Sequence, residues 1–238
     1  IVSMGLSLTA MLAGALFLKE TLSPEQRTEH SQMQAAAPVQ SLWQIVKSSG
    51  NRLLVFQYFI QNSTHSTVSY LFPLWVGVYL GWGAKEVGMV FGAMGLLMAV
   101  LQAGLIGRIV KLLGERGVLI TGISLSAIGF VVSAFAATDV TIVVGFFAVI
   151  TGATLCTPVL NSLVSKRTPF MHRGRIMGTT SSTSAWGRMF GPIMAGVLLS
   201  QFGYTVAWLG GLLFCIWSAS WIATEILGLK KQRKHDAV

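Results

Sequence analysis

Residues 87–135, VGMVFGAMGLLMAVLQAGLIGRIVKLLGERGVLITGISLSAIGFVVSAF, decide the fold class. Residues 87–107 and 117–138 contain no Asp, Glu, Lys or Arg, while Arg108, Lys111, Glu115 and Arg116 crowd the short stretch between them. A helix needs about 20 mostly apolar residues to cross a hydrocarbon core of about 30 Å. Both runs are long enough, and neither alternates as a barrel strand would. The stretch therefore reads as two membrane-crossing helices joined by a short basic loop. Gly107 and Gly114 bracket that loop, where glycine permits positive φ and close helix approach.

The same pattern extends in both directions. Seven apolar segments are expected to span, over 1–18, 53–80, 85–107, 117–137, 140–165, 174–201 and 204–228. The fold class is an all-α membrane protein, a polytopic helical bundle. Composition agrees: 53% of residues are hydrophobic, 11% are charged, and the mean hydropathy is +0.67. A soluble domain carries about a quarter charged residues. Cys156 and Cys215 both fall in apolar runs and read as small hydrophobes rather than a disulfide framework. The net charge of +9 does not indicate a nucleic-acid partner, because the basic residues sit in short clusters flanking apolar runs. Their partner is the bilayer surface. The sequence opens at Ile1 in apolar residues without a basic leader region, so it is not a signal peptide. It is expected to begin inside a membrane helix of a longer protein.

Orientation follows from the loop cations. Of 17 Lys and Arg residues, 15 lie in 19–52, 108–116, 166–175 and 229–238; Lys85 lies in the opposite set of loops and Arg188 inside a span. The four basic regions, including the C-terminus, are expected to face the cytoplasm of a plasma (inner) membrane. Residues 23–38 are polar, carry Pro24 and Pro38, and read as a flexible linker. Val39, Leu42, Trp43 and Val46 then follow helical spacing, as a short interfacial helix or the ragged start of the next span would.

Three local patterns resemble the major facilitator superfamily, particularly its drug-efflux branches. Phe17-Leu18-Lys19-Glu20-Thr21-Leu22-Ser23-Pro24-Glu25 resembles the close of the family's sixth helix. Gly107-Arg108 through Gly114-Glu115-Arg116 is similar to the second copy of its cytoplasmic loop signature, with Lys111 where the first copy usually has Asp. Arg173, Gly174, Gly178, Gly187, Arg188, Gly191, Pro192 and Gly196 are similar to its eleventh helix. The resemblance implies the C-terminal half of a twelve-helix transporter plus the preceding helix. Residues 1–18 would be the last helix of the N-terminal half and 19–52 the central cytoplasmic linker. Residues 53–228 would form a six-helix bundle and 229–238 a basic cytoplasmic tail. A further partner would be the missing N-terminal six-helix half.

Polar residues are unevenly shared among the spans, and in lipid they normally face a cavity or another helix. Gln57, Gln61 and His65 recur at four-residue spacing in the second span, with Asn62 and Thr64 adjacent. Thr157, Asn161 and Ser165 do so in the fifth, and hydroxyls run from Thr179 to Ser184 in the sixth. Gly88, Gly92 and Gly95 share a face of the third span, which also holds Gln102. The fourth and seventh spans have little polarity. The family resemblance places the four polar spans around a central cavity and the other two outside.

Arg188 stands about 21 Å along its helix from Gly174, near the membrane middle. A central Arg costs at least about 2.5–3.5 kcal/mol, so it needs water, an acid from elsewhere, an anionic substrate group or a route to the outer interface. The candidate substrate-cavity residues are Gln57, Gln61, His65, Asn161, Ser181, Ser184 and Arg188. The candidate loop motif is Gly107, Arg108, Gly114, Glu115 and Arg116, which serves as a topology determinant or a conformational latch. A lone His in a span and no deep acid supply neither a metal site nor an acid–base pair, so no enzyme activity, metal or cofactor is expected. The expected function is secondary active transport of a small molecule by alternating access. The resemblance implies proton-coupled efflux of drug-like compounds. The alternatives are movement of sugars or organic anions, or a non-transporting membrane sensor or scaffold.

Overall fold

The protein is described by a computed structural model over residues 52–168 and 173–235, with side chains as far as Thr224, and at Gly5, Ser7–Thr9, Met11, Leu12 and Gly14. It divides into two compact units, Ile1–Gln40 and Ser41–Val238. In the first unit the described residues are helical, and Leu8, Met11 and Leu12 are exposed. Most of the expected span 1–18, the linker 23–38 and the short helix 39–46 lie outside the described residues.

The second unit contains α1 (Arg52–Leu80), α2 (Ala84–Val100), a π-helical turn (Leu101–Leu105), α3 (Ile106–Ala134), α4 (Asp139–Arg167) and α5 (Arg173–His235). Local chemistry sets several of their ends. Glu86 reaches back to the Gly83 amide at 2.9 Å where α2 begins. The Thr138 hydroxyl accepts from the Thr141 amide at the start of α4, with Asp139 in its first turn and Lys166 and Arg167 in its last. Those charges complement the helix dipole.

Two of these elements are bent at glycines with positive φ: α3 at Gly114 (φ 70°) and α5 at Gly203 (φ 80°). A side chain there would be strained, which is why glycine marks both turns. Among the described residues, three continuous stretches are long and apolar enough to cross a membrane: Ala84–Ala134, Asp139–Arg167 and Arg173–Thr224. The first and third have 51 and 52 residues. Unbent, each would be about 77 Å long, more than twice the hydrocarbon core, so each bend makes two crossings of one stretch. The expected segments 85–107, 117–137, 140–165, 174–201 and 204–228 fall on these stretches.

Three details differ from the sequence reading. The segment expected to end at 107 stays helical past Arg108 to the bend at Gly114. The last helix continues to His235 instead of stopping at 228. The helix α1, read as a crossing over 53–80, is not among the three apolar stretches, because Gln57, Gln61, Asn62 and His65 dilute its hydropathy.

Backbone approach and a few hydrogen bonds hold the bundle together, since lipid removes most of the hydrophobic drive between helices. The helices α3 and α4 cross on two facing glycine pairs. A methyl on Gly122 would lie 2.7 Å from the Gly152 carbonyl oxygen, and one on Gly129 would lie 2.7 Å from that of Gly145. Ser126 adds a 3.1 Å hydrogen bond to the Val149 carbonyl. The 173–202 arm of α5 meets α1 in the same manner. A methyl on Gly191 would stand 2.6 Å from the Ser63 carbonyl oxygen, while the Ser63 hydroxyl donates to the Gly187 carbonyl at 3.1 Å. Aromatic rings fill the wider gaps, with Phe72 and Phe146 at 4.3 Å between centroids and Phe130 and Trp208 at 6.3 Å.

Gln57 is fully buried in this framework, donating to Ser218 at 2.7 Å, while its Oε1 has no partner among the described residues. A single neutral hydrogen bond set against an orphaned acceptor contributes little net stability. Gln57→Leu is therefore expected to leave stability within about 1 kcal/mol of the parent or to raise it. Thermal unfolding in detergent checks this, and a loss of several kilocalories would show that Gln57 has a partner beyond Ser218.

Candidate functional site

A cavity of about 800 Å³ opens between α1, α4 and the irregular stretch from α2 into α3. Its apolar wall comes from Met98, Ile106, Val110, Pro158 and Val159; its polar groups are His65, Gln102, Thr154, Thr157 and Asn161; Lys111 and Glu115 lie at the loop end. The π-helical turn lies on this wall. Gly104 leaves helical geometry inside it, and Gln102, Ile106 and Gly107 around it line the cavity. An extra residue per turn frees backbone groups and re-aims side chains, and such turns recur at functional sites.

Asn161 accepts the Tyr58 hydroxyl at 2.7 Å and borders a second, smaller space of about 60 Å³ that includes Ser165, Arg173 and Thr180. Asn161 thus borders both spaces, while Tyr58 borders the smaller one. At the loop end, Glu115 accepts from Ser162 at 2.8 Å and Lys166 at 2.7 Å. The loop between the two arms of α3 is thereby tied to the end of α4.

The candidate residues do not converge on one place. His65 and Asn161 both line the cavity, as do Gly107 and Glu115 of the loop motif. Gln57 and Gln61 are buried between helices, Gln61 donating to the Ala153 carbonyl at 2.6 Å. Ser184 is buried on α5, and Ser181 is exposed away from the cavity lining. Arg188 is exposed and donates to Asn62 Oδ1 at 3.3 Å. Arg108 and Arg116 are exposed, and Gly114 is the bend. Sequence reasoning singled out neither Tyr58 nor the Glu115–Lys166 tie. Tyr58 falls outside the Gln57, Gln61, His65 repeat, and 51 residues separate the two charges.

The hydrogen bond from Lys166, reinforced by that from Ser162, outweighs desolvation and holds the Glu115 carboxyl below its ordinary value of 4.5. Folding thus favours the charged carboxylate. Its contribution is complete above that ordinary value and is lost as pH falls through the depressed one. Glu115→Gln is expected to melt slightly below the parent near neutral pH, by no more than about 1 kcal/mol because the pair is solvated. The gap should vanish in acid; melting curves between pH 7 and 3 read it, and a gap that persists would assign it to packing instead.

The Major Facilitator Superfamily family model matches residues 54–237. The chain belongs to that superfamily. Among curated relatives, the class C tetracycline resistance protein of Escherichia coli is 22% identical over 84% of this chain and 51% of its own length. Multidrug resistance protein MdtH of Edwardsiella ictaluri is 31% identical over 60% of this chain and 35% of its own length. The chain thus spans about half the length, or less, of the curated relatives it matches. Among solved structures, the human organic anion transporter MFSD10 superposes with a TM-score of 0.65 at 23% identity, covering 83% of this chain and 46% of that one. That likeness shows a shared fold. Membership of the superfamily makes the apolar stretches of α2 to α5 membrane-crossing helices of a multi-pass integral membrane protein. The second unit therefore carries, in one bundle, a superfamily helix set and a cavity between its helices.

Proposed function

We propose that the protein exports drug-like small molecules by proton-coupled secondary transport. The observation that carries this reading is the cavity of about 800 Å³, which is walled by apolar side chains yet punctuated by His65, Gln102, Thr154 and Asn161. Such a mixture suits amphipathic molecules, since the apolar wall takes a hydrophobic body and the few polar groups orient it. Relatives named for tetracycline and multidrug resistance support the direction of transport. In this reading the bundle rocks against an N-terminal six-helix half, with the substrate site between them near the membrane middle. Residues 53–228 are the moving C-terminal bundle, joined by the 19–52 linker to a helix over 1–18. The loop cations support a cytoplasmic side of the inner membrane for 19–52, 108–116, 166–175 and the tail. Among the described residues no carboxylate lies near the middle of a crossing, so the coupling acid would come from the other half.

One observation favours a second cargo. Arg188 is exposed on α5 with the neutral Asn62 as its hydrogen-bonding partner. A cation at that depth with no acidic partner among the described residues suits organic anions.

The test is dye efflux from cells that express the full-length transporter. Ethidium efflux above the vector control that collapses with a protonophore is the expected result. Efflux that survives the protonophore would remove proton coupling. No efflux of ethidium or of an anionic dye would overturn the export reading.

A further inference from the structure

We propose that Asn62 positions Arg188 as a receptor for an anionic group, such as a carboxylate, sulfonate or phosphate, on an amphipathic substrate. This rests on the transport reading above and names a cargo class for it, at a point one helical turn from the cavity-lining His65. The geometry begins with two glycines. A methyl on Gly187 would collide with the Phe59 carbonyl and crowd Asn62 Cβ at 3.1 Å. Only without side chains at 187 and 191 can α5 lie this close to α1, and that closeness brings residue 188 beside residue 62.

The Asn62 amide is itself oriented. Its Nδ2 donates to the Tyr58 carbonyl at 2.9 Å, which turns Oδ1 toward Arg188 Nη1 at 3.3 Å. A neutral amide oxygen takes one of the five guanidinium N–H groups and none of its charge. The remaining N–H groups stay available to a ligand. A guanidinium pairs in bidentate fashion with planar or tetrahedral oxyanions, and more strongly where water is scarce. An aspartate at 62 would instead neutralise the cation.

Three residues further along α1, His65 enters the cavity and faces its apolar wall. Arg188 and the cavity are therefore joined through adjacent turns of one helix. The anionic head meets Arg188 at one end of that face, while the apolar body lies against Met98, Ile106 and Val110 at the other.

The experiment measures direct binding of carboxyfluorescein and of rhodamine 6G, an anionic and a cationic dye, to the full-length transporter in lipid nanodiscs by fluorescence polarisation. Asn62→Asp and Arg188→Ala are each expected to weaken carboxyfluorescein binding by about tenfold or more, with rhodamine 6G binding little changed. Asn62→Ala keeps the cation but loosens its placement, so it should fall between the parent and those two variants, and Arg188→Lys should recover part of the loss. Asn62→Ala and Arg188→Lys also carry the test if Asn62→Asp fails to fold. Equal losses for both dyes would overturn the proposal, as would parent-like carboxyfluorescein binding by Asn62→Asp or no such binding by the parent. The transport reading fails separately, if the parent binds the anionic dye but moves neither dye across proteoliposomes.

Discussion

Gly152→Leu is expected to abolish accumulation of folded protein, and Gly152→Ala to lower the melting temperature sharply. A Cβ on Gly152 would run into the Gly122 carbonyl and stand 2.8 Å from the Ser126 amide. Both obstacles are backbone, so no rotamer change relieves them. The α3–α4 crossing must open, which breaks the Ser126–Val149 bond and parts the matching Gly129–Gly145 approach. Overpacking of this kind costs about 1–3 kcal/mol for a methyl and more for a larger group. Gly178 provides the contrast, because an added Cβ there meets nothing within 4 Å. Gly178→Ala should hold or gain stability, by up to about 1 kcal/mol from helix propensity. Size-exclusion profiles and thermal melts of the three variants in detergent decide the matter. A Gly152→Ala protein as stable as Gly178→Ala would mean that the crossing is looser than described.

The crossings were legible in the sequence because hydropathy measures what lipid selects. The run 140–165 lies within Asp139–Arg167, and the division between 174–201 and 204–228 coincides with the bend at Gly203. Helix ends were less legible. Arg108 and Lys111 change the solvent a helix needs without breaking its hydrogen bonds, so the helix outruns the apolar run as far as Gly114. Hydropathy also undervalues α1, where Gln57, Gln61, Ser63, Thr64 and Thr67 are buried inside the bundle.

The polar spacing of α1 shows why the site was only partly readable. Gln57, Gln61 and His65 repeat every four residues, which advances about 40° per step around a helix of 3.6 residues per turn. Over two steps the stripe turns through about 80°, enough to pass three different neighbours. Gln57 meets Ser218 of α5, Gln61 meets the Ala153 carbonyl of α4, and His65 reaches the cavity. Spacing alone marks such residues as facing something other than lipid. It does not separate those that join helices from those that line a cavity, because both satisfy the same cost of burying a polar group.

Arg188→Ala separates those two roles most sharply, and it is expected to reduce efflux of the anionic dye carboxyfluorescein to the vector background at matched membrane abundance. The argument is one of balance. A guanidinium about 21 Å along the helix costs at least about 2.5–3.5 kcal/mol of insertion energy. Its structural return among the described residues is one 3.3 Å hydrogen bond to a neutral amide, worth less than that cost. Removing the side chain should therefore leave the melting temperature of the transporter unchanged or raise it. If Arg188 were a packing residue, stability would fall and efflux would fall in proportion to folded protein. If it serves the transported molecule, stability holds while efflux disappears. Arg188→Lys then reports how the cation is used. Lysine keeps the charge but loses the planar fork, so a partial recovery seen mainly in KM points to a contact with the substrate. Full efflux by the alanine variant would remove Arg188 from the site and leave His65, Asn161 and the apolar wall to bind the substrate.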